Sequence, residues 1–261
     1  MEPGAARVTA RLGLSFDNLG EAAEIELGAL APDAPEVGTH FTVTEVLPRI
    51  LDRLDEAGLE ATFFVEGLNT ELYPDALREI AGRGHELGFH AWRHEEWGRL
   101  PREAQAANLS RGLAGFERLG IGVVGMRPPG GRLGAGGLDV LREAGLRYCS
   151  PQGSEASVTD GVAVLPFDWS HVDAACVMPP MTAARERISG SPDPVDPEAF
   201  SGYIERELDR LAEGGEGFLT IILHPFMLEW LGEERLAGML DRIASLSRQG
   251  MLEAGSLGAS L

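Results

Sequence analysis

Lysine is missing from the chain, and all 22 of its basic residues are arginine. Its absence excludes enzymes that form a lysine Schiff base, pyridoxal-phosphate enzymes with an internal aldimine, and phosphate loops that depend on their lysine. Positive charge is scarce altogether. Against 41 Asp and Glu, the arginines leave a net charge of −19 over 261 residues. That argues against a nucleic-acid surface, because phosphate contacts need clustered cations, and against anionic membranes. Cysteine is nearly absent too: Cys149 and Cys176 are too few for a disulfide framework, lack partner cysteines at metal-site spacing, and read as buried fillers. No apolar run approaches the roughly 18–20 residues that span a bilayer, and Met1 to Ala10 has no signal-peptide core. The chain is therefore expected to be soluble and cytoplasmic, with a small-molecule partner and a homo-oligomer left open. The Ala/Gly/Arg-rich composition fits a GC-rich genome, but it still constrains the chemistry.

What is present suits one large α/β domain over residues 1–261, with 44% hydrophobic residues to build its core. Short apolar runs, Val8 to Phe16, Ala61 to Val65 and Phe218 to Leu223, alternate with amphipathic segments. This is the parallel β/α pattern. Helical spacing is clearest at Leu47, Ile50, Leu51 and Leu54, at Leu109, Leu113 and Phe116, at Phe200, Ile204, Leu208 and Leu211, and at Leu236, Leu240 and Ile243. Gly58, Gly82 and Gly145 follow helical stretches and predict left-handed caps. Two long irregular stretches, Gly20 to Thr42 and the proline-rich Ala175 to Pro197, are expected as loops.

Three of the six histidines stand in contexts that packing explains poorly. His90 and His94 are four apart, and a helical turn there would put both imidazoles on one side, close enough to share a cation. Alone the pair is a weak signal. It is joined by Ser15-Phe16-Asp17-Asn18, by Arg127-Pro128-Pro129-Gly130-Gly131 and by Leu223-His224-Pro225-Phe226, all at predicted strand C-termini. In parallel barrels that end of the sheet gathers the active site.

The order of these segments, with Ala61-Thr62-Phe63-Phe64-Val65 and Gly84-His85-Glu86-Leu87-Gly88-Phe89-His90, resembles the polysaccharide deacetylase family, the chitooligosaccharide deacetylase-like carbohydrate esterases. The resemblance runs from about Val8 to Phe226. It implies a distorted (β/α) barrel of about seven parallel strands and removal of an N- or O-acyl group with a divalent metal, zinc first, then cobalt, nickel or manganese. The family's first motif is usually Thr-Phe-Asp-Asp; here the last position is Asn18. The resemblance makes Asp17 the base, Asn18, His90 and His94 the metal ligands, Arg127 the residue that orients the base, and His224 the general acid. Asn18 brings no charge, so metal affinity should fall or metal preference change. Asp17 could itself become a ligand with another group as base, or the site could work without metal.

The segment Phe167-Asp168-Trp169-Ser170-His171-Val172-Asp173 matches a Trp- and Asp-containing family motif, which assigns Asp168 to positioning His224 and leaves His171 and Asp173 structural. Trp92, Trp169, Pro129 and Gly130 are expected to face substrate. The acidic residues Glu21, Glu24, Glu26, Asp33, Glu36, Glu95 and Glu96, if they line the mouth, would favour neutral or amine-bearing substrates. The expected activity is release of an acetyl or formyl group from a small amino sugar. The rival readings are an allantoinase-like opening of a cyclic amide or imide, and a non-catalytic small-molecule-binding barrel.

Overall fold

A computed structural model describes residues 10–261, so Val8, the expected start of the first strand, lies outside the described residues. Nine strands follow: β1 (Arg11–Asp17), β2 (Thr62–Val65), β3 (Glu86–Phe89), β4 (Gly125–Met126), β5 (Tyr148–Cys149), β6 (Ser157–Thr159), β7 (Val162–Val164), β8 (Phe218–Leu223) and β9 (Glu253–Gly255). They form one sheet in the order β6-β7-β5-β4-β3-β2-β1-β8, with β9 beside β1. All pairings are parallel except the β6–β7 hairpin. Seven parallel strands thus make up the main path, as expected. The sheet curls until Val172 bridges Ile222 on the free edge of β8. Its path is a half-barrel with open ends rather than a closed ring.

Strand β1 is the centre of the curl. Leu12, Leu14 and Phe16 are buried, and so are Gly13 and Ser15 on the other face. Burial on both faces is what a parallel sheet covered by helices demands. Strand β8 pairs along one edge of β1 from Arg11 to Phe16, and the other edge is divided: β9 pairs at Arg11–Gly13, and β2 takes over at Ser15–Asp17. Helices cover the sheet with single apolar stripes. In Leu47–Ala57 the stripe is Leu47, Ile50, Leu51 and Leu54, each almost fully buried, and each contributes about 1.5–3 kcal/mol of transfer free energy. Gly58 ends that helix at φ 66°, where a Cβ would be strained. Gly145 (φ 81°) is left-handed as expected, but after Gly82 the left-handed residue is Gly84 (φ 88°), two positions later. No described helix is long and apolar enough to cross a membrane.

Neither long stretch is wholly irregular. After β1 the chain forms a short helix, Ala22–Glu26, and then turns. This loop is pinned: the Tyr73 hydroxyl donates to Glu21 Oε2 at 2.6 Å and accepts from the His40 backbone N–H at 2.8 Å. The second stretch contains the helix Thr182–Ser189. Only Ala184, Arg185 and Ile188 face inward there, too weak a stripe to read from spacing. Buried Arg185 staples the surrounding loop by donating to the carbonyls of Met178, Pro179 and Pro192.

Register sets the functional rim. Asp17 lies opposite Phe64, Val65 opposite Phe89, Phe89 opposite Met126, and Phe16 opposite Leu223. Parallel strands end at one rim, with neighbours about 4.8 Å apart. The residues that immediately follow the aligned strand ends, Arg127, His90, Glu66, Asn18 and His224, therefore stand in a row across β4, β3, β2, β1 and β8.

Candidate active site

The segment after β3 does not coil into a helix. Ala91 and His94 have φ of 62° and 73°, so the helical spacing expected for His90 and His94 is replaced by a turn. The turn still brings the two rings together, with centroids 4.9 Å apart. His90 Nδ1–H donates to the Arg127 backbone carbonyl at 2.7 Å. That fixes the tautomer and leaves the Nε2 lone pair available, the usual way a ligating imidazole is oriented. Burial pushes both imidazoles down to about 3, so they are neutral at physiological pH and able to bind a cation.

Sequence reasoning missed Glu66. It directly follows β2 and is 1% exposed, and one of its carboxylate oxygens lies with a nitrogen of His90 and of His94 within a 4.8 Å cluster. Its Oε2 accepts from Leu19 N–H and Asn69 Nδ2, each at 3.3 Å, while Oε1 is buried without a partner. Burial, with Asp17 and Glu95 nearby, pushes the Glu66 carboxyl up to about 8. An acidic residue placed immediately after the apolar run Phe63-Phe64-Val65, at the rim already holding Asp17 and His90, was the signal available.

Asn18 sits beside this cluster with φ 61° and a buried, unpartnered Oδ1. Three of the four described non-glycine residues with positive φ, Asn18, Ala91 and His94, are at this site. Backbone strain of this kind concentrates at functional positions. The two neutral imidazoles and the Glu66 carboxyl group form a donor set that fits a divalent ion. Without a cation these buried polar atoms carry an uncompensated desolvation cost.

On one flank Arg127 Nη1 donates to Asp17 Oδ1 at 2.6 Å and to Ser15 Oγ at 2.8 Å, and Nη2 donates to Ser150 Oγ at 2.9 Å. The guanidinium is 1% exposed and stacks over Phe64 at 4.2 Å. Asp17 is thus held by a buried, fully occupied arginine.

On the other flank the partner of His224 is Asp173 and not Asp168. Asp173 Oδ1 accepts from His224 Nδ1 at 2.6 Å, and its Oδ2 accepts from the His224 backbone N–H at 2.8 Å. Burial alone would push the His224 imidazole down. The charge and hydrogen bond of Asp173, aided by Asp17, outweigh it and raise His224 above its ordinary value near 6.5. Asp168 instead caps the turn at Ser170, accepting from its N–H at 2.8 Å, and pairs with Arg187. The alternation of acids in 167–173 gave no means of telling which one faced the histidine.

These groups surround a cleft of about 440 Å³. Asp17, Asn18, His90, His94, Arg127, Gly130, Trp169 and His224 line it, together with an apolar wall that includes Val172, Met178, Met181 and Phe226. Trp92 does not: it is buried, with the Arg111 guanidinium 3.6 Å from its ring centre, and it packs the scaffold. Pro129 is buried next to the rim but is not among the lining residues. Of the seven acidic residues expected at the mouth, Glu96 alone lines the cleft. Glu21 is fully buried against Tyr73, and Glu26 pairs with Arg93 at 3.1 Å.

Comparison with known proteins agrees with this geometry. Residues 33–149 match the polysaccharide deacetylase family model. A peptidoglycan-N-acetylglucosamine deacetylase of Bacillus cereus is 31% identical over 90 residues, 34% of this chain and 33% of that protein. The chain spans between about a sixth and a half of the length of the curated relatives it matches. A crystal structure assigned as a polysaccharide deacetylase from Mycobacterium smegmatis superposes with a TM-score of 0.77 at 25% identity, covering 97% of this chain and 89% of that one. The PuuE allantoinase structure superposes with a TM-score of 0.75 at 16% identity, covering 98% and 90%, a likeness of fold. Over residues 33–149, then, this chain is similar to the polysaccharide deacetylase family, and its fold is similar to that of a solved structure assigned to that family.

Proposed function

We propose that this cleft hydrolyses the N-acyl amide of a small amino sugar, with zinc as the metal. The observation that carries the reading is the convergence of two buried pairs, Asp17–Arg127 and His224–Asp173, on opposite flanks of the Glu66–His90–His94 donor set. A divalent ion held there supplies Lewis acidity that polarises the acyl carbonyl and favours ionisation of the attacking water. Asp17, fixed by Arg127, takes the proton as the water oxygen bonds to the acyl carbon. As the C–N bond breaks, His224 gives its proton to the departing nitrogen, and the products are a carboxylate and a free amine. Asp173 holds His224 by Nδ1, so Nε2 is the nitrogen that faces the cleft chemistry.

A cleft of this size suits one small ligand, and Trp169 offers an apolar face to a sugar ring. Retention of both buried pairs supports catalysis over a purely binding role. The second reading, opening of a cyclic amide, is favoured by the apolar wall of Met178, Met181 and Phe226, which gives sugar hydroxyls few partners. It is also favoured by the fold likeness to an allantoinase. A panel of N-acetyl and N-formyl amino sugars and cyclic imides, assayed with added Zn²⁺ or Co²⁺ and after chelation, tests the choice. Metal-dependent release of acetate or formate from the sugars is expected. Turnover of cyclic substrates alone would replace the proposal with the second reading.

A further inference from the structure

We infer that Glu66 is the charged metal ligand of this cleft, so that a divalent ion is held by Glu66, His90 and His94 while Asn18 offers at most a neutral oxygen. The inference rests on the metal-dependent reading above, but it is tested independently of turnover.

Strand geometry places the carboxylate. Asp17 of β1 is in register with Phe64 of β2, so the backbone of Glu66 stands across from Leu19, one residue past Asn18. Its neighbour on the other side is His90, since Val65 registers with Phe89. A side chain delivered by the adjacent strand therefore reaches the space between the first strand and the histidine turn. The hydrogen bonds point the same way. Leu19 N–H and Asn69 Nδ2 hold Oε2, Oε1 is buried with no partner, and one of the two carboxylate oxygens lies in the cluster with the two imidazoles. No arginine pairs with Glu66 among the described residues, and the rim arginine, Arg127, is committed to Asp17, Ser15 and Ser150. A buried carboxylate with a free oxygen beside two imidazoles lacks only a cation.

Charge makes the assignment specific. Asn18, His90 and His94 would be a ligand set with no negative charge, a weak holder of a dication. Replacing Asn18 by Glu66 in that set gives one carboxylate and two neutral imidazoles, a combination that zinc takes in protein sites.

The test is zinc binding to metal-stripped protein, followed by calorimetry and by metal analysis after gel filtration, for wild type, Glu66→Gln and the double variant Glu66→Gln/Asn18→Asp. Wild type should hold one zinc ion per chain. Glu66→Gln should bind more than about 100-fold more weakly, because removal of an outer-shell partner alone costs about 10–100-fold. The double variant should recover much of that loss, since Asp at position 18 tolerates the left-handed backbone nearly as well as Asn. Zinc-edge anomalous diffraction from loaded wild-type crystals gives a readout that does not depend on variant folding: Glu66 oxygen should lie about 2.0–2.2 Å from the ion. Unchanged affinity in Glu66→Gln, or a zinc peak coordinated by position 17 or 18 with Glu66 turned away, overturns the inference while leaving the hydrolase reading standing. Failure of wild type to bind zinc at all overturns the inference, and sustained turnover by such protein would show that the hydrolytic reading survives it.

Discussion

Asp173 grips His224 twice, through Nδ1 at 2.6 Å and through the backbone N–H at 2.8 Å, and so fixes both the ring and the strand end that carries it. The consequence is a buried imidazole whose pKa is raised above its ordinary value, where burial alone would have lowered it. The histidine and the carboxylate that holds it come from different parts of the chain, His224 from the end of β8 and Asp173 from the loop bridged to that strand at Val172.

Replacing Asp173 with Asn removes the charge that opposes burial. The folded pKa of His224 should then fall, and the alkaline limb of the kcat/KM profile should move to lower pH. His224→Ala should lose about 10²–10⁴-fold in kcat, the usual worth of a positioned acid or base. The stability link has a definite sign. A histidine raised in the folded state stabilises the fold below its unfolded pKa and loses that contribution as pH rises through the raised value. Denaturant titrations from pH 6 to 9 should therefore show a decline in wild type that Asp173→Asn lacks.

The Asp17–Arg127 pair predicts a joint loss of activity and stability. Asp17→Asn keeps the shape but leaves a guanidinium that is 1% exposed without its counter-charge. Breaking a buried pair from one side costs about 3–5 kcal/mol. Urea unfolding should show a loss of that order, and acyl release should fall to background. Near-wild-type stability would mean that Ser15 and Ser150 alone satisfy the arginine.

Trp169 and Trp92 should separate by phenotype. Trp169 lines the cleft, so Trp169→Ala should raise KM about 2–10-fold, the equivalent of about 0.5–1.5 kcal/mol of aromatic contact, with little change in Tm. Trp92 is buried scaffold, so Trp92→Ala should cost about 3–5 kcal/mol of stability. Reversal of the two effects would contradict the placement of the cleft.

Gly88 links packing to chemistry. A Cβ there would come within 2.5 Å of the Phe64 ring, the same ring that supports the Arg127 guanidinium. Gly88→Ala should destabilise by about 1–3 kcal/mol through overpacking and lower kcat by disturbing Arg127. Thermal melts and kcat measured on the same preparation check both.

The β/α alternation and the rim were legible because each strand end carries its polar residue in sequence directly after an apolar run, as at Phe16-Asp17 and Leu223-His224. His90 and His94 were legible as a pair, although left-handed Ala91 and His94, rather than a helix, bring them together. Glu66 was missed because its partners come from other strands, and only register reveals that it faces His90. Asp168 was chosen over Asp173 because both lie within one short irregular segment, where no period says which side chain turns inward. Trp92 illustrates the same limit: proximity in sequence to His94 did not mean proximity to the cleft.

The central claim is metal-dependent amide hydrolysis in this cleft, and the most direct measurement is parallel quantification of carboxylate and free amine from an N-acyl amino sugar. It should be made with zinc-loaded wild type, chelated wild type and zinc-loaded Asp17→Asn. Equimolar carboxylate and amine are expected from the first and background from the other two. Equal product from chelated protein, or full turnover by Asp17→Asn, would contradict that claim.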